Sequence, residues 1–475
     1  MHLHSHFPRL LIGGVSSGVG KTTFTLGLCR ALMRRGLGVR VFKCGPDYLD
    51  PTYHRAASGQ PVHNLDSWLM SAAALEDGFV RHAGELSLIE GVMGLFDGAS
   101  PTSLAGSSAE IAGWLKAPIV LVCDASGMAR SVAALVQGFD RFEPGVSLGG
   151  VICNRIGSPG HLELLRRACP QPPVLGGLPK NAAPRFPERH LGLHSALELE
   201  LEPSIEAWAD QVEQHCDVPA LIELARSAPA LRTSAVSSAG PTSEAAAGKQ
   251  SATARRCRIA VAEDAAFHFY YEANLHLLER AGAELVRFSP LGDATLGDVD
   301  GVYIGGGYPE LHAARLAANT SLLDRLRDLA QQGTPFYAEC GGLMYLSDAI
   351  VARDGASHPM LGLISGTATM KSELQALGYV EVETRIDTVL GPAGTRFRGH
   401  QFRYSRFDTP GAPEAYSMRV ARTGKSAPEG YTCRNVLASY VHAHWASNPS
   451  VAEAFVLRCE RRRRSGERHE PGDGS

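Results

Sequence analysis

Short apolar runs alternate with longer stretches of helical spacing through the first part of this chain. Residues 10–12 (Leu-Leu-Ile) precede a helical pattern over residues 24–33. Residues 37–42, 86–89, 119–123 and 149–153 are further short apolar runs, each followed by a more polar, periodic stretch. That alternation predicts an α/β fold with a largely parallel sheet covered by helices. A helical stretch over residues 205–226 follows. The periodicity then lapses. Residues 227–253 are dominated by Ala, Ser, Thr, Gly and Pro and read as a flexible linker. Arg258-Ile259-Ala260-Val261-Ala262 opens a second α/β pattern that runs to Cys459. The predicted organisation is a domain over 8–226, a linker over 227–256, a second domain over 257–459 and a disordered tail over 460–475, which begins with Glu460 and the Arg461–Arg464 tetrad. The opening Met1-His2-Leu3-His4-Ser5-His6 reads as a frayed terminus.

The first apolar run ends in Gly14-Val15-Ser16-Ser17-Gly18-Val19-Gly20-Lys21-Thr22-Thr23. A strand, a glycine-rich loop and a helix in that order place backbone N–H groups and a helix N-terminus around phosphate oxygens. Gly18 and Gly20 let the backbone approach a nucleotide, Lys21 supplies positive charge, and the hydroxyls of Thr22 and Thr23 follow. Val15 stands where the common phosphate-loop pattern has its first glycine. Gly14 sits one place earlier, a longer spacing that resembles dethiobiotin synthetase. Asp47 and Glu90 each follow a predicted strand, where the clefts of open α/β sheets lie. With Thr22 they are candidate oxygen ligands for Mg²⁺. Lys43 is a candidate to steer an anionic substrate, Asp97 to orient the substrate or the metal, and Tyr48 to contact the substrate. Cys123-Asp124 ends another strand and would line the same cleft.

A second chemical centre lies far along the chain. Thr334-Pro335-Phe336-Tyr337-Ala338-Glu339-Cys340-Gly341-Gly342 reads as a buried strand turning sharply into a helix. A cysteine on such a turn is held out of the sheet at a helix N-terminus, which favours thiolate. The N–H of Gly341 is placed to face a developing oxyanion. A cysteine nucleophile requires a histidine base. Residues 438–445, Ala-Ser-Tyr-Val-His-Ala-His-Trp, supply His442 and His444. Residues 300–310 form a further strand ending in Gly305-Gly306-Gly307, a second source of oxyanion N–H groups through Gly306.

Composition narrows the class. The chain has 475 residues with 44% hydrophobic and 20% charged, as in ordinary globular proteins. Its net charge of −3 gives no electrostatic case for nucleic-acid binding. Ten cysteines without a C-x-x-C pair argue for a reducing, cytoplasmic setting and against structural zinc. No apolar run reaches membrane-spanning length, and the start lacks the apolar core of a signal peptide. Oligomeric state is left open, with a homodimer among the possibilities.

Taken together, these loops and the segments at residues 43–54 (Lys-Cys-Gly-Pro-Asp-Tyr-Leu-Asp-Pro-Thr-Tyr-His), 64–70 (Asn-Leu-Asp-Ser-Trp-Leu-Met) and 90–98 (Glu-Gly-Val-Met-Gly-Leu-Phe-Asp-Gly) resemble the cobyrinic acid a,c-diamide synthase family, including its hydrogenobyrinic acid form. The resemblance covers residues 8–449. It implies an N-terminal ATP-dependent synthetase domain joined to a C-terminal class I glutamine amidotransferase domain. It also implies ATP- and glutamine-dependent amidation of the a and c acetates of a corrin ring, with Mg²⁺, through an acyl phosphate. Asn154, after residues 149–153, resembles the asparagine that reads adenine in related synthetases. Ala338, two before the cysteine, departs from the glycine of the commonest amidotransferase pattern. His444 stands where many relatives of the wider class carry glutamate, so the third triad member stays open. The catalytic loops do not separate this activity from nickel-sirohydrochlorin a,c-diamide synthase or cobyric acid synthase. A P-loop partitioning ATPase with a degenerate amidotransferase domain is a more distant alternative; intact Cys340 and His442 argue against it.

Overall fold

A computed structural model describes residues 3–180, 200–233, 256–411 and 413–467. The chain divides into two compact units, Met1–Gly248 and Lys249–Ser475. Most of the expected linker, residues 234–255, and the tail from 468 on lie outside the described residues.

In the first unit the elements are β1 (Leu3–Ser5), β2 (Arg9–Gly14), α1 (Lys21–Arg34), β3 (Val39–Cys44), α2 (Asp50–Ser58), β4 (His63–Leu65), α3 (Ala72–His82), β5 (Leu86–Glu90), α4 (Ser108–Trp114), β6 (Ile119–Asp124), α5 (Ser131–Arg141), β7 (Leu148–Ile156), α6 (Pro159–Ala168), β8 (Val174–Pro179), α7 (Glu202–His215), α8 (Val218–Arg226) and β9 (Leu231–Thr233). Seven strands form one parallel sheet in the order β4-β3-β5-β2-β6-β7-β8. Strands buried on both faces read as continuous apolar runs, which is why β2, β5 and β6 were visible as such. The predicted helix over 205–226 is two helices. Asp217 accepts from the Ala220 N–H at 3.0 Å as the N-cap of α8, and Pro219 follows in its first turn. The N-terminus is not frayed over Leu3–Ser5: β1 pairs antiparallel with β9, which itself falls within the stretch read as linker.

The second unit begins with β10 (Cys257–Ala262), α9 (Glu272–Arg280), β11 (Ala283–Phe288), β12 (Gly301–Ile304), α10 (Ala313–Ala318), α11 (Thr320–Gln331), β13 (Phe336–Glu339) and α12 (Gly341–Leu346). Its main sheet runs β11-β10-β12-β13, then strand Val436–Ser439 and antiparallel edge strand Tyr431–Cys433. A separate five-stranded antiparallel sheet ends in Arg396–Arg403 paired with His442–His444. The chain therefore leaves the main sheet at Ser439 and joins the second sheet at His442, crossing at Tyr440-Val441. The final helix spans Ser450–Glu467. This corrects the expectation of disorder from residue 460: Val456 and Cys459 are buried against the sheet and carry the helix onward.

Candidate active sites

In the first unit, β2 delivers the glycine loop to the carboxyl edge of the sheet. Gly18 and Gly20 have φ of 77° and 96°, the left-handed region that side chains disfavour. The Asn154 side-chain amide lies directly against Gly20, where any Cβ would collide with it, and donates to the Val19 carbonyl at 2.8 Å. Arg155 pairs with Asp124 and donates to the Gly18 carbonyl at 3.0 Å, so the ends of β6 and β7 brace the loop. Lys21 Nζ bonds the carbonyls of Ser16 at 3.0 Å and Met93 at 2.5 Å. Burial, with Lys43 nearby, lowers its pKa to about 8. Thr23 follows Thr22 in the first turn of α1.

Beneath the loop is a closed polar cluster. Glu90 Oε1 accepts from Thr22 Oγ1 at 2.8 Å and Lys43 Nζ at 2.8 Å, and its Oε2 lies 2.6 Å from His54 Nε2. Lys43 also pairs with Asp50 at 2.7 Å. Burial opposes the charge on Glu90, but Lys43 and His54 outweigh it and hold the carboxyl well below its usual range. This corrects the expectation that Lys43 meets substrate. The side chain is 2% exposed, so its charge serves Asp50 and Glu90 within the fold. Asp47 Oδ1 accepts from the N–H groups of Leu49 and Asp50 at 2.9 and 3.0 Å and so organises the start of α2. Asp97 accepts from the Gly94 N–H at 2.8 Å in the loop that holds Lys21, and Tyr48 is buried. Asp50 and His54 were missed by sequence reading; their i,i+4 spacing on α2 was the available signal. Thr22 Oγ1 and Glu90 Oε1 meet at 2.8 Å, an oxygen pair that suits a hard divalent cation, whereas Asp47 Oδ1 serves the start of α2.

In the second unit, β13 ends at Cys340, whose φ of 49° and ψ of −101° form a sharp elbow. A non-glycine residue there carries strain of order ~1–3 kcal/mol, held by its surroundings. The Cys340 N–H donates to the Ser439 carbonyl at 2.7 Å, and parallel pairing sets Glu339 beside Ser439. Strand Val436–Ser439 thus fixes the elbow and, three residues later, delivers His442. The glycine turn after β12 borders both. A Cβ on Gly306 would overlap the His442 ring, and a Cβ on Gly341 would lie 3.1 Å from the Gly307 nitrogen.

Two expectations change. The helix behind Cys340 is only six residues long, and burial, reinforced by Glu310, pushes the thiol up to about 12 despite Arg403 and the Gly341 N–H. The thiol is protonated at rest and depends on a base. The Gly306 N–H does not face an oxyanion: it donates to the Phe269 carbonyl at 3.3 Å. The Gly307 nitrogen borders Gly341, 3.1 Å from where a Gly341 Cβ would stand. Burial lowers His442 to about 3, leaving a neutral ring able to accept a proton. His444 packs against Tyr271 with ring centroids 4.5 Å apart and is 0% exposed.

Comparison with known proteins finds a family match in each unit. Residues 10–193 match the family described as CobQ/CobB/MinD/ParA nucleotide binding domain, and residues 258–450 match the CobB/CobQ-like glutamine amidotransferase domain. A cobyrinate a,c-diamide synthase of Leptospira interrogans serogroup Icterohaemorrhagiae serovar copenhageni is 50% identical over 461 residues, 96% of this chain and 99% of that protein. The chain belongs to the cobyrinate a,c-diamide synthase family. Another member, from Syntrophotalea carbinolica, is 46% identical over 95% of this chain and 98% of its own length. Among solved structures, a glutamine amidotransferase aligns with 42% of this chain and 98% of its own, at 19% identity and a TM-score of 0.32.

Proposed function

We propose that the chain is a carbon–nitrogen ligase that amidates the a and c acetate carboxylates of a corrin ring, cobyrinate or its metal-free counterpart, in cobalamin biosynthesis. ATP and glutamine are consumed once per amide. The observation that carries this reading is one chain holding a braced phosphate loop with Lys21 and a strained cysteine elbow with His442. Identity of 50% to a cobyrinate a,c-diamide synthase over 99% of that protein's length supports the substrate. The synthetase site lies within residues 8–226 and the amidotransferase site within 257–459.

A carboxylate does not accept ammonia until an oxygen becomes a leaving group. In the first unit the substrate carboxylate attacks the γ-phosphorus, ADP departs, and an acyl phosphate results. Lys21 exchanges its carbonyl partners for phosphate oxygens, while the loop N–H groups and Asn154 position the nucleotide. Thr22 and Asp47, with Glu90 behind Thr22, would hold Mg²⁺, which draws charge from the phosphate oxygens. In the second unit His442 takes the Cys340 proton as sulfur adds to the glutamine amide carbon. The N–H groups of Gly341 and Gly307 receive the oxyanion. His442 then protonates the leaving nitrogen, and water cleaves the thioester to glutamate. Ammonia displaces phosphate from the acyl phosphate. All ten cysteines are free, in keeping with a reducing cytoplasm, and no described helix is long and apolar enough to cross a membrane.

The test is mass spectrometry of products from cobyrinate and hydrogenobyrinate supplied with ATP and either glutamine or ammonium salt. Two added amides are expected. Four would indicate cobyric acid synthase activity, and none from any corrinoid would discard the corrin reading. Cys340→Ser should lose glutamine-dependent synthesis and keep synthesis from ammonia at alkaline pH.

A further inference from the structure

His442 needs a group at its second ring nitrogen. When the ring takes the Cys340 proton it becomes a cation in a fully buried site, and its orientation decides which nitrogen faces sulfur. His444 is poorly suited. It is itself buried and neutral, with its pKa lowered to about 4, and it carries no negative charge to set against an imidazolium. Neither of its ring nitrogens has a hydrogen-bond partner among the described residues.

A carboxylate does reach His442. Glu339 Oε2 lies 4.0 Å from His442 Nδ1, with side-chain exposures of 1% and 2%. Its position is fixed on three sides. Tyr337 Oη donates to Oε1 at 2.7 Å, Tyr303 Oη to Oε2 at 3.2 Å, and the Ala443 N–H to Oε1 at 3.1 Å. The last bond comes from the residue after His442, so backbone and side chain of one strand converge on one carboxylate. Glu339 immediately precedes the nucleophile. The elbow at Cys340 turns sulfur away while Glu339 stays on the sheet face beneath the histidine.

We propose that Glu339 is the positioning residue of the amidotransferase site, holding His442 through Nδ1 so that Nε2 accepts the Cys340 proton. The inference rests on the glutaminase reading of Cys340. The gap of 4.0 Å closes to a hydrogen bond when glutamine binds and the ring becomes cationic, as catalytic contacts commonly tighten in the substrate complex. The proton leaves Cys340 sulfur, resides on Nε2 and passes to the departing ammonia; Glu339 takes none. Burial pushes Glu339 up to about 8, against the pull of Tyr337, the Ala443 N–H and Tyr303. Each partner alone resists charge in this setting, and formation of the pair offsets both costs. The other titratable groups facing the pair are His400, stacked on His442 at 4.9 Å, Tyr271 bonded to His400 at 2.9 Å, His444, and the phenols Tyr270 and Tyr416.

The experiment measures glutaminase kcat/KM against pH for the full chain, its Glu339→Gln variant and Cys340→Ser, together with ammonia-dependent synthesis. Glu339→Gln should lower glutaminase kcat by at least about 100-fold, within the range that an oriented base contributes. KM for glutamine and the ammonia reaction should hold. Without the carboxylate an imidazolium is less stable, so the acid limb of the profile should move down by about one pH unit. A loss caused by packing alone lowers every pH equally, and an unmoved limb would overturn the inference. So would a limb that moves in His444→Ala but not in Glu339→Gln. If Glu339→Gln fails to fold, Tyr337→Phe takes its place. It removes a donor that favours the Glu339 carboxylate, so the acid limb should move down as in Glu339→Gln, by less; no movement would again overturn the inference. Glutaminase activity surviving in Cys340→Ser would defeat the underlying reading instead.

Discussion

Lys21 carries a charge that the folded protein makes conditional. Burial and Lys43 bring its pKa down to about 8, whereas bound phosphate oxygens favour the charged form. Below pH 8 the lysine is already cationic, and above it ATP binding must draw a proton from solvent. ATP affinity should therefore fall as pH rises from 7 to 9, with proton uptake at pH 9 and little at pH 7. Calorimetry in buffers of different ionisation enthalpy reads this directly. Lys21→Ala should abolish both the uptake and amidation from either nitrogen donor, while leaving the fold intact. The loop's identity was legible because consecutive residues encode it. The partners of Lys43 were not. Lys43, Asp50, His54 and Glu90 sit on β3, α2 and β5, and only the parallel register of those strands, with Lys43 opposite Glu90, brings them into one cluster.

Helix α1 illustrates what an element's surroundings add to its pattern. One face covers the sheet and another packs on α7, where Arg30 and Arg34 pair with Glu202, Glu206, Asp210 and Glu213. Gly27 lies at this contact, and a Cβ there would stand 2.6 Å from the Trp208 carbonyl oxygen. Helix propensity alone favours Gly→Ala by up to about 1 kcal/mol. At Gly27 the clash with backbone should outweigh that gain, and Gly27→Ala should destabilise by roughly 1–3 kcal/mol. Gly138, within α5 and with nothing within 4 Å of its Cβ position, is the contrast. Gly138→Ala should stabilise by up to about 1 kcal/mol. Denaturant titration of both variants checks the pair; a stabilised Gly27→Ala would show that α1 and α7 are not closely packed there. Sequence periodicity identified α1 as helical. It could not say which of its faces meets another helix, because both faces are apolar enough to be buried.

At the scale of the whole molecule, each unit carries its own sheet and its own chemical site. Unfolding should show two transitions. MgATP should raise only the one belonging to the first unit, by about 2.7 kcal/mol at a hundredfold excess over Kd. Covalent capture of Cys340 by an electrophilic glutamine analogue should raise only the other. Scanning calorimetry with each ligand separates these outcomes; a single transition moved by both would mean that the units unfold together. The division into two parts, the parallel sheet and the phosphate loop were determined by the sequence itself, which also put Cys340 and His442 forward as candidates. They rest on local physics: period, glycine turns and strand–loop–helix order are written in neighbouring residues. Tertiary structure alone decided that β1 pairs with β9, that the last helix continues to Glu467, that Gly306 spends its N–H on Phe269, and that Glu339 reaches His442. These depend on register and burial across residues far apart in the chain. Glu339 is the clearest case: it stands next to Cys340 in sequence, yet its partner is the strand that follows Ser439. Only the pairing of β13 with Val436–Ser439 brings that partner within reach.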